Sequence, residues 1–535
     1  MWTNVSSPGL LCTPLRCSAS QRYLFQFSFD FRPMSTSSPN LASAVEALIG
    51  ASRVLSDRAQ RAIYAVDDMV PSVVAKPSSA EEAAEIVRFA AREKLALIPY
   101  GARTKLRVGM PPSRYDIALD MTALNQIPHY DPGDLTLSVD AGTSVAKVNA
   151  HLLEHNQFLP LLVPWYSLST VGGAIASGID SPLRQSYGTA RDFLIGAEFI
   201  DGTGKLCKSG GRVVKNVTGY DLHKLLIGSL GTLAVITRLN FRTFPAPVSS
   251  RGFVASFASA ENALALRRSI VESPLNPLTL DILSPSLAQI FAEKTPATPE
   301  VAVFRGENGA GPPDSNPSAL PPIGDWFRAH EWQLCAAFAG APEVLERYAR
   351  DLTRFARESH ATSTAILDDS TRPSLWGRLR ETFPMLLEAS SAATIFKIGV
   401  LPSQLASLLA SVQKIAGQVE LPHMLVVRAV GTIYFALLPA SANDETTARL
   451  AQAASQIIQS TSAVGGDTTL LFAPPALKPS LCAPDGSVSP RLNTLDTGSS
   501  DLLLMRAACA PDVSAGPRLK SAFDPHNIFV PGRLI

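Results

Sequence analysis

The stretch from Gly210 to Ile236, GGRVVKNVTGYDLHKLLIGSLGTLAVI, constrains the fold of this 535-residue chain more than any other. A Gly-Gly turn leads into a polar patch from Lys215 to Leu222. An apolar, helix-like run follows, and Gly228-Ser229-Leu230-Gly231-Thr232-Leu233 then opens a β-branched run. A glycine-rich turn between a helix and a buried strand lets backbone come close to a flat, phosphate-bearing ligand. In a dinucleotide-binding βαβ unit the glycines follow a strand and open a helix. Here Gly231-Thr232 follows the helix and opens a strand, which excludes that fingerprint.

Upstream, the chain alternates strand and helix signals. Pro71 to Lys76 reads as a short strand. Ser78-Ser79-Ala80-Glu81-Glu82 is an N-cap signal, followed by Ala83, Ile86, Val87 and Ala90 at helical spacing. Leu95 to Pro99 reads as a buried strand that ends at Tyr100-Gly101-Ala102-Arg103-Thr104-Lys105. Further strands are expected at Ile117–Asp120 and Leu135–Asp140, and a helix at Ser144–His155. A second glycine-rich stretch, Pro164 to Gly178, contains Thr170-Val171-Gly172-Gly173 and Ala176-Ser177-Gly178. It is followed by Tyr187-Gly188, Arg191-Asp192 and the hairpin-like run LIGAEFIDGTGKL.

From about residue 248 the pattern changes to repeated strand–helix–strand units. They run from SRGFVASF, ENALALRRSIVE and LTLDIL to TIYFALLP, TARLAQAASQIIQ and DTTLLFAP. Split βαβ units of this kind pack as an antiparallel sheet with helices on one face. Residues 306–324 and 474–500, rich in Pro, Gly and Ser, read as loops.

Composition removes several function classes. With a formal net charge of +1, no field favours nucleic acid or anionic lipid. The strongest candidate for a membrane span, His423 to Ala440, contains Arg428, so no span is expected. The six cysteines are scattered, without the Cys-x-x-Cys spacing of zinc or iron–sulfur sites. A reducing, cytoplasmic compartment is the default, with membrane association only through partners. Residues 1–40 carry Arg16, Arg22 and Arg32 among many serines. They read as a disordered extension: either a transit peptide or, the favoured reading, an overextended translation start with Met34 opening the chain.

The order and spacing of these pieces resemble the FAD-binding half of the vanillyl-alcohol oxidase/p-cresol methylhydroxylase (PCMH) flavoprotein superfamily. Within it, VVKNVTGYDLHKLLIGSLGTL looks most like the FAD-binding subunits of bacterial glycolate oxidases. The resemblance covers about residues 66–247 and the C-terminal Lys520–Pro525, Ile528-Phe529 and Pro531-Gly532-Arg533. It implies an α+β fold: a two-subdomain FAD-binding domain at 66–247, an α+β cap over the flavin at 248–500, and a return to the first domain at 501–535. It also implies cofactor contacts. Gly101, Ala102, Arg103, Thr104 and Lys105 would form the first pyrophosphate loop, with Arg103 or Lys105 helping to neutralise the phosphates. Thr170, Val171, Gly172, Gly173, Ala176, Ser177 and Gly178 would run along FAD. Gly188 and Asp192 would sit in the second turn, and Gly231, Thr232, Val235 and Ile236 would contact the adenine or flavin side by backbone. The plain alternative for Thr170–Gly178 is a small-residue helix packed on a sheet. Two glycines before a small-residue run suit close cofactor approach better than helix stability. Asn216, Tyr220 and Asp221 are given a structural or a substrate role with equal weight.

Departures from the family pattern bear on function. No histidine occupies the first loop, so the flavin is expected to be non-covalent. The His-x-Gly-Asp-Gly-Asn-x-His-type segment of catalytic 2-hydroxy acid dehydrogenases is absent. Leu230 stands where those enzymes carry an acid, and Val530 where relatives favour Asn. His151 and His155, four apart, read as an exposed helix face rather than a metal site. No catalytic residue is assigned. The resemblance implies oxidation of glycolate to glyoxylate in a complex with a paralogous catalytic FAD subunit and an iron–sulfur subunit. Two alternatives stay open: a self-sufficient oxidoreductase of another small hydroxy acid or alcohol, and a non-catalytic structural or electron-relay subunit.

Overall fold

A computed structural model describes residues 39–212, 219–296, 322–428, 431–480 and 515–533. Lys215, Asn216 and residues 1–38 lie outside the described residues, as do the greater parts of both expected loops. From Pro39 onward the chain forms one unit.

The first sheet contains β1 (Val54–Leu55), β2 (Val73–Ala75), β3 (Leu97–Tyr100) and β4 (Ile117–Asp120) in the order β1-β2-β4-β3. β2 and β3 both run parallel to β4. Parallel strands need a crossover, supplied here by helix Ala80–Glu93. Ser79 caps that helix by accepting from Glu82 N, and its apolar stripe, Ala83, Ile86, Val87 and Ala90, is buried. The sheet begins before the expected boundary at 66. Helix Pro39–Ile49 buries Val45 and Ile49 in the same core, and β1 pairs with β2.

The second sheet is antiparallel, with β5 (His129–Asp131), β6 (Thr136–Asp140), β8 (Leu194–Ile200), β9 (Leu206–Gly210) and β10 (Val235–Arg242) in the order β5-β6-β10-β8-β9. β7 (Gln157–Phe158) pairs with β11 (Phe244–Pro245). His151 and His155 pack edge-on against Tyr130.

The third sheet holds β12 (Ser250–Phe257), β13 (Thr279–Leu283), β14 (Trp332–Ala339), β15 (Ser363–Leu367), β16 (Thr394–Gly399), β17 (His423–Arg428), β18 (Thr432–Leu437) and β19 (Asp467–Phe472). Their order is β15-β12-β14-β13-β17-β18-β16-β19, and every pairing is antiparallel. The stretch with the strongest membrane-like hydropathy is thus the β17–β18 pair. No helix among the described residues is long and apolar enough to cross a membrane.

Four long helices, Ala260–Glu272, Pro342–Glu358, Leu405–Gln418 and Asp444–Ala463, cover one face of this sheet. They bury Leu266, Leu352, Val412 and Ile457 against Phe253, Phe338 and Phe435. The sequence reading left the other face without helices, and the structure differs. Helices Pro285–Glu293, Arg372–Arg380 and Thr382–Ala389 bury Leu287, Phe291, Leu375 and Phe383 against Val254, Cys335, Ile395 and Val426. Strands such as β14, buried at Trp332 through Phe338, are apolar on both sides and require two covered faces.

The C-terminus closes the first domain. Helix Ala515–Phe523 leads to a short extended segment that pairs in parallel with β3, with Leu97 N donating to Ile528 O (2.7 Å) and Val530 N to Leu97 O (3.0 Å). Lys520 Nζ donates to Thr232 O, Phe529 O and the buried Asp524 carboxylate (2.8, 2.8 and 2.6 Å), which itself accepts from Ile528 N and Phe529 N. Val530 sits at φ 44°, left-handed backbone that a β-branched residue rarely adopts. Asn tolerates that conformation, whereas Val530 is held there by burial among Val74, Ile98 and Tyr100.

Candidate cofactor site

A cleft of about 780 Å³ is formed by the loop after β3, helix Val171–Ser177, β10 and the C-terminal segment. The loop Gly101–Lys105 supplies one wall. Among the described residues, the amides of Ala102, Arg103 and Thr104 have no acceptor. Arg103 is at φ 63°. Successive free amides around a left-handed residue form a concavity suited to anions. Tyr64 carries the Arg103 guanidinium 4.7 Å above its ring centroid.

Helix Val171–Ser177 forms the opposing wall and divides by its own periodicity. Gly173, Ala176 and Ser177 line the cleft, whereas Val171, Ala174 and Ile175 are buried in the second-sheet core. Its first amides are already engaged: Val171 N by Thr143 O, Gly172 N by Ala141 O and Gly173 N by Thr170 Oγ1. This wall therefore offers close approach rather than donors. A Cβ built on Gly173 would meet only Thr170 Oγ1, at 3.1 Å, a tight contact with the oxygen that caps its own amide. A Cβ on Gly101 would strike Thr170 Oγ1 at 2.0 Å, and one on Gly172 would strike Ala141 at 2.8 Å. Gly101 and Gly172 thus serve packing, and Gly173 keeps the cleft open.

Gly231 and Ile236 also line the cleft, with Gly231 at φ 73° and a Cβ there 2.7 Å from Pro99. Val235, next to Ile236 on β10, points the other way into the first-sheet core. Thr232 is buried and donates to Ser229 O (2.7 Å). Gly178 and Gly188 lie apart from the cleft, on a small cavity of about 330 Å³ with Asp180 and Ser181. Asp192 accepts from Thr189 N (2.7 Å) and caps the short helix Ala190–Phe193. Tyr220 is 89% exposed and Asp221 pairs with Lys224.

Two cations on the cleft stand out. Arg533, which no local pattern marked as a site residue, comes from the chain's far end. Its guanidinium donates to Val108 O (3.0 Å) and Leu106 O, and burial pulls it down to about 10, opposed by Asp67 and Tyr100. Lys105 is buried. Its Nζ donates to Thr104 Oγ1 and Pro164 O (both 3.2 Å) and to Ser169 Oγ, and it lies 5.5 Å from the Trp165 ring centroid.

A third cavity, about 280 Å³, lies where the cap meets Leu162, Pro164 and Asp180. Arg380, Arg428 and Tyr434 face it. Arg428 Nε donates to the fully buried Asp281 (3.1 Å) and Arg380 Nε to Glu381 Oε1 (3.0 Å). Among the described residues, Arg380 Nη2, Tyr434 Oη and Asp281 Oδ2 are buried without a partner. Lys397 Nζ bridges to Asp180 (2.8 Å), which also accepts from Arg184. Burial opposes the charge on Asp180, but Lys397 and Arg184 hold its carboxyl below the usual range. Burial likewise opposes the ammonium of Lys397, yet Asp180 carries it up to about 12. Beside this cavity runs the loop Pro164–Ser169, whose Pro164 O and Ser169 Oγ accept from Lys105. Glu381 of the cap accepts from Trp165 N (2.7 Å) and Tyr166 N (3.1 Å).

The cleft fits FAD on its own geometry: an amide concavity for a diphosphate, two buried cations, and a glycine face that a side chain would fill. Residues 71–210 match the FAD binding domain family, and residues 246–469 match the C-terminal domain of the FAD linked oxidases. The chain is 36% identical over 167 residues to glycolate oxidase subunit GlcE of Escherichia coli, covering 31% of this chain and 47% of that protein. It is 27% identical over 230 residues to glycolate oxidase subunit GlcD of Bacillus subtilis, covering 42% and 49%. It is 32% identical over 181 residues to D-2-hydroxyglutarate dehydrogenase of Xanthomonas citri, covering 34% and 38%. The aligned region thus spans about half or less of each of these relatives. The fold superposes on p-cresol methylhydroxylase with substrate bound at a TM-score of 0.67, with 16% identity, covering 92% of this chain and 95% of that one. The chain thus carries an FAD binding domain followed by the C-terminal domain of the FAD linked oxidases, on the fold of p-cresol methylhydroxylase.

Proposed function

We propose that this chain is the FAD-binding subunit of a complex that oxidises small 2-hydroxy acids, with glycolate as the first substrate to test. The observation that carries this reading is the convergence of the Ala102–Thr104 amides, the face at Gly173 and the buried cations Lys105 and Arg533 on one cleft, all but Arg533 within the span matched by the FAD family. FAD supplies the two-electron acceptor. The chain's own residues bind and orient. The amide concavity would take the diphosphate, and the Gly173–Ser177 face would lie flat along the cofactor. Unpartnered Arg380 Nη2 and Tyr434 Oη, in the small cavity beside the Pro164–Ser169 loop, are donors that a single water could satisfy.

The dependence on partners is supported by the relatives, two of which are named as glycolate oxidase subunits, and by the missing His-x-Gly-Asp-Gly-Asn-x-His-type segment. A paralogous FAD subunit and an iron–sulfur subunit would complete the complex. The purified chain is expected to be yellow, to release its FAD on acid precipitation, and to oxidise glycolate with a dye acceptor slowly or not at all. Co-purified partners are expected to restore turnover. Full activity of the chain alone would replace the subunit reading by the self-sufficient one. A colourless chain that FAD cannot reconstitute would sink both.

A further inference from the structure

Lys105 presents a charge problem that its protein neighbours do not solve. Its amine is enclosed, and all three of its acceptors, Thr104 Oγ1, Pro164 O and Ser169 Oγ, are neutral. Among the described residues no carboxylate lies within ion-pairing distance of it. The acid that acts on it, Glu381, is already engaged by two amides and by Arg380. A buried ammonium without a counter-ion is unfavourable, and burial pulls Lys105 down to about 7, with Glu381 opposing. The other titratable groups on the cleft behave differently. Arg533 stays protonated up to about 10, and burial pushes the Tyr100 phenol well above its ordinary value. Arg103 faces the exposed mouth, stacked on Tyr64.

Resting on the FAD reading above, we propose that Lys105 is a proton-coupled anchor for the cofactor's diphosphate: the amine takes up a proton as the dianionic group enters, so FAD binding weakens as pH rises past neutrality. The sign follows from linkage. The ligand raises the proton affinity of Lys105, so affinity is complete at pH values below the free-protein transition. It declines with rising pH until the ligand-bound transition is reached. For a free-protein transition near 7, the loss between pH 6 and pH 8 is about tenfold in Kd.

Calorimetric titration of the flavin-stripped full chain with FAD at pH 6, 7 and 8, in two buffers of different ionisation heat, reads both Kd and protons. The expected result is a Kd about tenfold weaker at pH 8 than at pH 6, with proton uptake approaching one per FAD at pH 8. Riboflavin, which lacks the phosphates, is expected to show no proton uptake. Lys105→Met is expected to bind FAD weakly at both pH values without proton uptake, and its apo melting temperature should equal or exceed the parent's because a buried amine is gone. Lys105→Arg, charged throughout, is expected to bind without a pH slope. Proton-neutral, pH-independent binding by the parent chain, or a Lys105→Met variant that keeps the slope, would overturn the proposal. Failure of the parent to bind FAD at any pH would instead remove the FAD reading, and this proposal with it.

Discussion

Replacing Gly173 by valine is expected to weaken FAD binding by about a hundredfold or more while leaving the apo-protein folded. Gly173 lies in the first turn of helix Val171–Ser177 and faces the cleft, and its absent Cβ has only Thr170 Oγ1 nearby, at 3.1 Å. An isopropyl group there would occupy the cofactor's space without touching the core. Its backbone needs no left-handed conformation, and valine is a slightly better helix residue than glycine, so the apo cost is confined to crowding of the Thr170 cap, about 1 kcal/mol. Flavin fluorescence after acid release measures the first effect and apo melting the second. Retention of FAD by the variant would take this helix face out of the site. Gly172→Val is the contrasting case, because its side chain collides with Ala141 and should lower stability itself.

Lys520→Met is expected to destabilise the protein by roughly 3–5 kcal/mol, the effect of leaving a buried charge without its partner. Asp524 is 2% exposed and would keep only the amides of Ile528 and Phe529, while Thr232 O and Phe529 O would each lose a donor. The double variant Lys520→Met/Asp524→Asn should recover part of the loss, because no net charge then stays buried. Urea denaturation of the three proteins measures it. A loss below about 1 kcal/mol for the single variant would show that the C-terminal strap contributes little.

Much of the fold was legible because its signals are local. Every strand and helix proposed for the cap from alternation and 3.6-residue spacing is present, from β12 to β19. The loop Gly101–Lys105 and the pair Gly172-Gly173 could be placed because glycine patterns mark close approach wherever they occur. What escaped is non-local. Arg533 reaches the cleft only because the chain's end pairs with β3. The Lys397–Asp180 pair joins residues of different domains, each unremarkable in its own segment. Val171 and Val235 turn their side chains into the core by helix and strand periodicity and Thr232 closes a local turn, so only their backbone is left to serve the cleft, as the glycine pattern implied. The helices on the cap's second face were missed because periodicity within a strand does not say whether both its faces are covered.

The two oxygens of Glu381 end on the same short stretch, Trp165-Tyr166, that lies beside the carbonyl gripped by Lys105. The cap is therefore fastened to the loop that holds Lys105 by a carboxylate buried between them. Swinging the cap aside would break both amide contacts at once, so the two hydrogen bonds to a charged acceptor resist it together. The cap consequently behaves as a keystone: its seat and the path of the loop beneath it are set together, so a change that shifts the cap is expected to shift the carbonyl that holds Lys105 as well.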